Sequence, residues 1–247
     1  MRIGPDLMRV LVTRAEPAAS RTRKNLVSAG YEPIVLPIFT LVDLGNLVPE
    51  LKHDGVIFTS ANAVEVLKRR DWKGAKTSGP AYCVGSKTAQ AAREIGFEDC
   101  VVASGGGAAL CKEMAAQELP KTSKFLYPTT PDRSFDMSEH LGVLGFDVDL
   151  VELYQTRKVE FQSGAVANTI DECKAGAVLV YSARSAEYLV ELLDAEDELP
   201  DFSSICLIGI SKTATNIMLK YPWRDVYVSD MPDEETMLSL LERITSA

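Results

Sequence analysis

The sequence predicts an α/β fold of two domains, each a parallel sheet flanked by helices and joined by a two-stranded β-ladder hinge. Three observations carry this. Short apolar runs alternate with helix-like amphipathic stretches along the chain. The runs are rich in Val, Ile and Leu and mostly lack polar alternation, as strands buried on both faces do. Two regions of the chain also repeat one another, element by element.

The elements follow in order. A strand over 10–13 leads into a helix over 18–29, and a Gly30-Tyr31 turn leads into a strand over 33–36. Strands at 55–59, 81–84, 100–103 and 125–127 precede helices at 61–69, 87–95, 108–117 and 134–144. A strand over 148–154 follows. Strands at 177–181, 205–210 and 226–229 precede helices at 185–193, 212–219 and 234–244. Ten strands suit two five-stranded sheets better than one sheet of ten.

The repeat sets the domain plan. TSANAVEVL around Ser60 matches YSARSAEYL around Ser182. The tetrapeptide SKTA then occurs twice, at 86–89 and at 211–214, each time after an apolar strand. From Ser86 to Ser104 and from Ser211 to Ser229 the spacing is eighteen positions in both copies. A weaker match joins LVTRAEP and its sequel to FLYPTTP and its sequel. The second module lacks that unit at its end, and the unit stands at the N-terminus instead. One domain is therefore expected to be discontinuous, 1–38 with 156–247, and the other, 39–155, inserted whole. The chain then crosses between domains twice, at 37–42 and 153–158. Both crossings are apolar and extended, which suits a two-stranded ladder.

Composition bounds the function. The 247 residues are 46% hydrophobic and 25% charged, which is enough to bury a core without staples. A net charge of -9 argues against nucleic acid as a partner. With only two histidines, His53 and His140, a His-based metal site or a Ser-His-Asp triad is not expected. The five cysteines form no CxxC pair and read as reduced thiols of a cytosolic protein. No apolar stretch is long enough for a membrane span, and the N-terminal residues do not read as a signal peptide. The expected location is the cytoplasm, with no membrane partner.

LVTRAEPAASRTRKNLVSAGYEPIVLPIF, FTSANAVEVL, YCVGSKTAQAAREIGF, LYPTT and VELYQT occur in this order. The ordered set resembles the uroporphyrinogen-III synthases of tetrapyrrole (haem) biosynthesis, over nearly the whole chain after Arg9. The resemblance implies an activity. Linear hydroxymethylbilane is cyclised with inversion of ring D and loss of water, giving uroporphyrinogen III. It also implies two α/β domains with the active site in the cleft between them, no cofactor, no metal and a monomer. Transient hand-over of the bilane from the enzyme that makes it goes with that role.

A substrate with eight carboxylates must bind to a protein of negative net charge. Helix N-termini solve this with unpaired N–H groups and partial positive charge. Such starts fall at Ser60 and Asn62, at Ser86, Lys87 and Thr88, at Ser182 and Ser185, and at Lys212 and Thr213. In parallel sheets they gather at the carboxyl edges of the strands, where ligands bind. Ser60 and Ser182 are N-caps by default, and ligand contact would come on top of that role. Lys87 and Lys212 read as solvated helix lysines whose identical placement suggests carboxylate pairing. By resemblance, Thr88 matches a threonine lining the family's cleft. Arg14 ends the first strand in the family's TR-x-x-P-like position and suits bidentate carboxylate recognition.

Tyr154 is the candidate for chemistry. The substrate's terminal hydroxyl must leave as water, which needs a donor at the leaving oxygen. In the family, the tyrosine of the return crossing, VELYQT here, faces the cleft. Its competing role is packing. The bilane also closes without enzyme to the uninverted isomer, so positioning is the main task. The glycines 105–107 lack both the GxxxxGK(S/T) and the GxGxxG spacing and read as a turn. A bilobed binding protein without catalysis is the rival reading of the same two lobes, and a nucleotide-dependent transferase is disfavoured by the absent phosphate-loop spacing.

Overall fold

The computed structural model describes residues 7–50, 52–72, 79–133, 135–174 and 176–245. In chain order the elements are β1 (Arg9–Val12), α1 (Ala18–Ser28), β2 (Glu32–Val35), β3 (Phe39–Asp43), β4 (Gly55–Phe58), α2 (Ala61–Arg69), β5 (Ala81–Val84) and α3 (Ser86–Glu94). Then come β6 (Cys100–Ala103), α4 (Gly107–Ala116), β7 (Lys124–Thr129), α5 (Met137–Val143), β8 (Asp147–Glu152) and β9 (Tyr154–Lys158). The last are α6 (Ala165–Asp171), β10 (Ala177–Val180), α7 (Ala183–Asp194), β11 (Cys206–Gly209), α8 (Lys212–Met218), β12 (Asp225–Val228) and α9 (Glu234–Thr245).

The chain divides into two compact units, Met1–Thr40 with Arg157–Ala247, and Leu41–Thr156. The first holds the sheet β12-β11-β10-β1-β2, and every pairing in it is parallel. The second holds β6-β5-β4-β7-β8, again parallel throughout. Strands β3 and β9 pair as a ladder. Bonds from Leu44 N–H to the Leu153 carbonyl and from Val159 N–H to the Ile38 carbonyl bracket it, so its strands run antiparallel.

The missing polar alternation has a direct cause. In the first unit Leu11, Val178, Val180 and Leu207 enter one core cluster, and Val10, Val12, Leu179 and Ile208 enter another. In the second, Val56, Phe58, Cys83 and Leu126 enter one cluster, and Ile57, Tyr82, Phe125 and Tyr127 another. Successive residues point to opposite faces of a sheet, so both faces are apolar because both are covered. Each such side chain contributes about 1.5–3 kcal/mol of burial.

Several boundaries differ from the sequence reading. The strand expected over 148–154 is two strands, β8 and β9, separated by Leu153. The helix expected from Ser134 begins at Met137, where Asp136 caps it with bonds from Ser138 and Glu139 N–H; Ser134 itself lies outside the described residues. Helix α6 was not expected. Its seven residues are too short to show a period, and its first turn is held from afar by Glu196, which accepts from Gly164, Val166 and Ala167 N–H.

Candidate active site

In a parallel sheet all strands deliver their following turns to one edge. In the unit Leu41–Thr156 the central strand β4 leads into Thr59 and Ser60. The Ser60 hydroxyl accepts from Asn62 N–H at 3.2 Å and caps α2. Next to it β5 leads to α3, whose cap is Gly85 at φ 79, a residue with no side chain to bond the first turn. Ser86 is therefore the first helical residue and caps nothing. Lys87 is exposed, and Thr88 is 5% exposed.

Tyr154, at the start of β9, is 4% exposed and packs in the core cluster of this unit. Burial pushes its phenol above the ordinary value; the Ser60 hydroxyl beside it pulls the other way, and Tyr127 adds to the rise. The phenol is thus protonated and can donate. Tyr127 is fully buried, with its hydroxyl 3.5 Å from the Thr59 hydroxyl. Sequence reasoning missed Tyr127 and Thr59 as neighbours of this site, although Thr59 directly precedes Ser60. It also missed Arg133 on the turn after β7, which donates to Asp136 at 2.9 Å, Glu152 at 3.1 Å and the Thr130 carbonyl at 3.2 Å.

In the unit Met1–Thr40 with Arg157–Ala247, three adjacent strands supply the edge. After β10, Ser182 caps α7 by accepting from Ser185 N–H at 3.0 Å, and the two hydroxyls lie 2.8 Å apart. After β11, Ser211 caps α8 by accepting from Ala214 N–H at 3.3 Å. Lys212 and Thr213 follow it and are exposed. After β1, Arg14 bonds Glu234 at 2.8 Å and Thr22 at 3.2 Å.

The two SKTA copies thus differ in frame. In the second, serine is the cap and its hydroxyl takes an amide of the first turn. In the first, glycine is the cap and no capping side chain takes the first-turn amides. The local packing explains part of this. Gly209, which ends β11, brings α8 so close that a Cβ there would meet Thr215 Oγ1 at 1.9 Å. The Thr215 hydroxyl donates back to the Ser211 carbonyl at 2.9 Å. At the matching place in the first copy stands Val84.

Other chemistry is narrowed. All five cysteines are free thiols, and burial pushes Cys83 and Cys173 up to about 12, which removes them as nucleophiles near neutral pH. Among the described residues no cluster of three or more His, Cys, Asp and Glu side chains is placed to hold a metal ion. Among them, too, no helix is long and apolar enough to cross a membrane.

The family model described as uroporphyrinogen-III synthase HemD matches residues 20–239. The chain belongs to that family. Its members act on a small molecule in haem biosynthesis and are lyases. Among solved structures, the chain is similar to the uroporphyrinogen-III synthetase of Helicobacter pylori, at 16% identity and a TM-score of 0.60, covering 96% of this chain and 99% of that one. It is also similar to a mutant uroporphyrinogen III synthase of Thermus thermophilus, at 16% identity and a TM-score of 0.53, covering 97% and 99%. At these identities the likeness speaks for the fold. No curated protein sequence gives a significant match.

Proposed function

We propose that this chain is a cytoplasmic, monomeric hydro-lyase. It cyclises hydroxymethylbilane with inversion of ring D to uroporphyrinogen III and receives the bilane by transient hand-over from the enzyme that makes it. The observation that carries the reading is Tyr154, a buried and protonated phenol beside the Ser60 cap at a carboxyl edge. Tyr154 donates to the departing hydroxyl, which leaves as water. The electron-poor system left behind is attacked at the substituted carbon of ring D, and the resulting spiro intermediate reopens inverted.

The helix starts at each carboxyl edge take the carboxylate arms: Ser60 and Asn62 on α2, Ser86 to Thr88 on α3, Ser182 and Ser185 on α7, Lys212 and Thr213 on α8, and Arg14 after β1. Of the SKTA turns, the first is the stronger anion site, because its amides are not taken by a capping hydroxyl. Main-chain amides do not depend on net charge, which suits a chain of net charge -9. Most of the rate comes from holding the bilane in the conformation that presents ring D inverted.

The test is consumption of freshly made hydroxymethylbilane by the purified chain. Loss faster than spontaneous closure, with type III product, is expected. Binding without turnover would overturn the reading.

A further inference from the structure

Four side chains from distant parts of the sequence meet after β1, all in the unit Met1–Thr40 with Arg157–Ala247. Arg14 Nη1 donates to Glu234 Oε2 at 2.8 Å and to Thr22 Oγ1 at 3.2 Å. The guanidinium carbon lies 4.3 Å from the centre of the Tyr181 ring. The fork is thus gripped at one nitrogen and across one face. An arginine carries five N–H donors. The bonds to Thr22 and Glu234 both use Nη1, so among the described residues no hydrogen bond of good geometry takes Nε or Nη2, on a side chain 21% exposed.

Two further atoms set this cluster apart from an ordinary surface ion pair. Among the described residues, Glu234 Oε1 and the Tyr181 hydroxyl are both buried without a hydrogen bond of good geometry, although Thr22 and Arg14 lie beside the Tyr181 hydroxyl. Buried polar atoms without partners lower stability, so stability alone does not account for these four residues. Burial first, then the charge of Glu234, pushes the Tyr181 phenol up to about 12, and it stays neutral. Glu234 also opens α9, where a carboxylate suits the helix dipole. The acid is anchored on its own helix and in turn anchors the arginine.

We propose that Glu234 and the Tyr181 ring are positioning residues of the substrate site, holding Arg14 so that its Nε–Nη2 edge takes one carboxylate of the bilane. This rests on the reading of the chain as the bilane-cyclising enzyme. A fork fixed before binding loses less freedom when the carboxylate arrives. Glu234 neutralises part of the arginine charge and fixes its direction, and the tyrosine face sets its plane.

Steady-state kinetics with freshly made hydroxymethylbilane, together with melting temperatures, test this on Arg14→Met, Glu234→Gln, Tyr181→Leu, Tyr181→Phe and the Arg14→Met/Glu234→Gln double variant. Glu234→Gln and Tyr181→Leu are each expected to raise KM about tenfold with kcat nearly kept, the signature of lost uniform binding. Tyr181→Phe, which keeps the ring, brings KM back to near the parent value. In the Arg14→Met background, Glu234→Gln adds nothing further to KM, because the group it positions is gone. A fall in melting temperature with KM unchanged would make the cluster a fastener for α9 and overturn the proposal, as would a full Glu234→Gln effect without Arg14. If Tyr181→Leu does not fold, the Glu234→Gln and double-variant comparison decides. A parent chain that forms no type III product would overturn this proposal and the functional reading together; an active parent with unmoved KM in the variants overturns the proposal alone.

Discussion

Tyr154 is both a core residue and a proton donor, and the two roles separate at one oxygen. Its ring fills the cluster of β4, β5 and α2, while its hydroxyl has the Ser60 hydroxyl in its neighbourhood, which counters part of the rise in its pKa. Tyr154→Phe keeps the ring and removes the donor. It is expected to slow type III formation about tenfold or more with the melting temperature nearly unchanged, read from initial rates and a thermal melt. Unchanged turnover would leave Tyr154 a packing residue. Lys87 and Lys212 are both exposed, each in the first turn of its helix but one position apart in frame. Replacing either with Met should weaken bilane binding more than folding, measured by KM beside the melting temperature; loss of stability at unchanged KM would reverse that assignment. Residues of this kind were legible because each follows an apolar strand directly. The Arg14 partner was not: Glu234 stands 220 positions away, and only packing brings it to the end of β1.

Helix starts show how far local sequence reaches. Ser60, Ser182 and Ser211 follow apolar runs and are caps, as their residue type implies. Ser86 has the same tetrapeptide as Ser211, yet Gly85 takes the cap because its φ of 79 is one that glycine adopts without strain. Ser211→Ala should therefore cost about 1 kcal/mol and Ser86→Ala only a small fraction of that, compared by denaturant unfolding. Equal losses would mean that both copies share one frame. Helix α6 was invisible for the opposite reason. Its cap comes from Glu196, some thirty positions on, whose carboxylate meets three amides of its first turn. This is an internal case of what the carboxyl edges are proposed to do for the substrate. Glu196→Ala should lower stability by roughly 1 kcal/mol, with β10 and β11 still formed.

At the scale of the molecule, the strand-helix alternation and the doubled order of motifs made both five-stranded sheets readable, because parallel strands buried on two faces leave continuous apolar runs. The crossings that form β3 and β9 were readable as extended, apolar segments able to pair as a two-stranded ladder, and they do pair. Charge acts at this scale too. Burial works against ionised Asp136, but bonds from Ser138, Arg133 and the Glu139 amide outweigh it and hold the carboxyl down at about 2. Its folded value lies below its unfolded one, so its contribution to stability is complete above about pH 4 and vanishes as the pH falls through about 2. Asp136→Asn should flatten the acid limb of a stability-against-pH curve over that window; an unaltered curve would contradict the pairing.

The most direct measurement is the isomer composition of the product. Freshly made hydroxymethylbilane is incubated with and without the purified chain, and the macrocycles are separated chromatographically. Predominantly type III product with the chain present, against type I in its absence, is the predicted result. Type I alone in both would contradict the account.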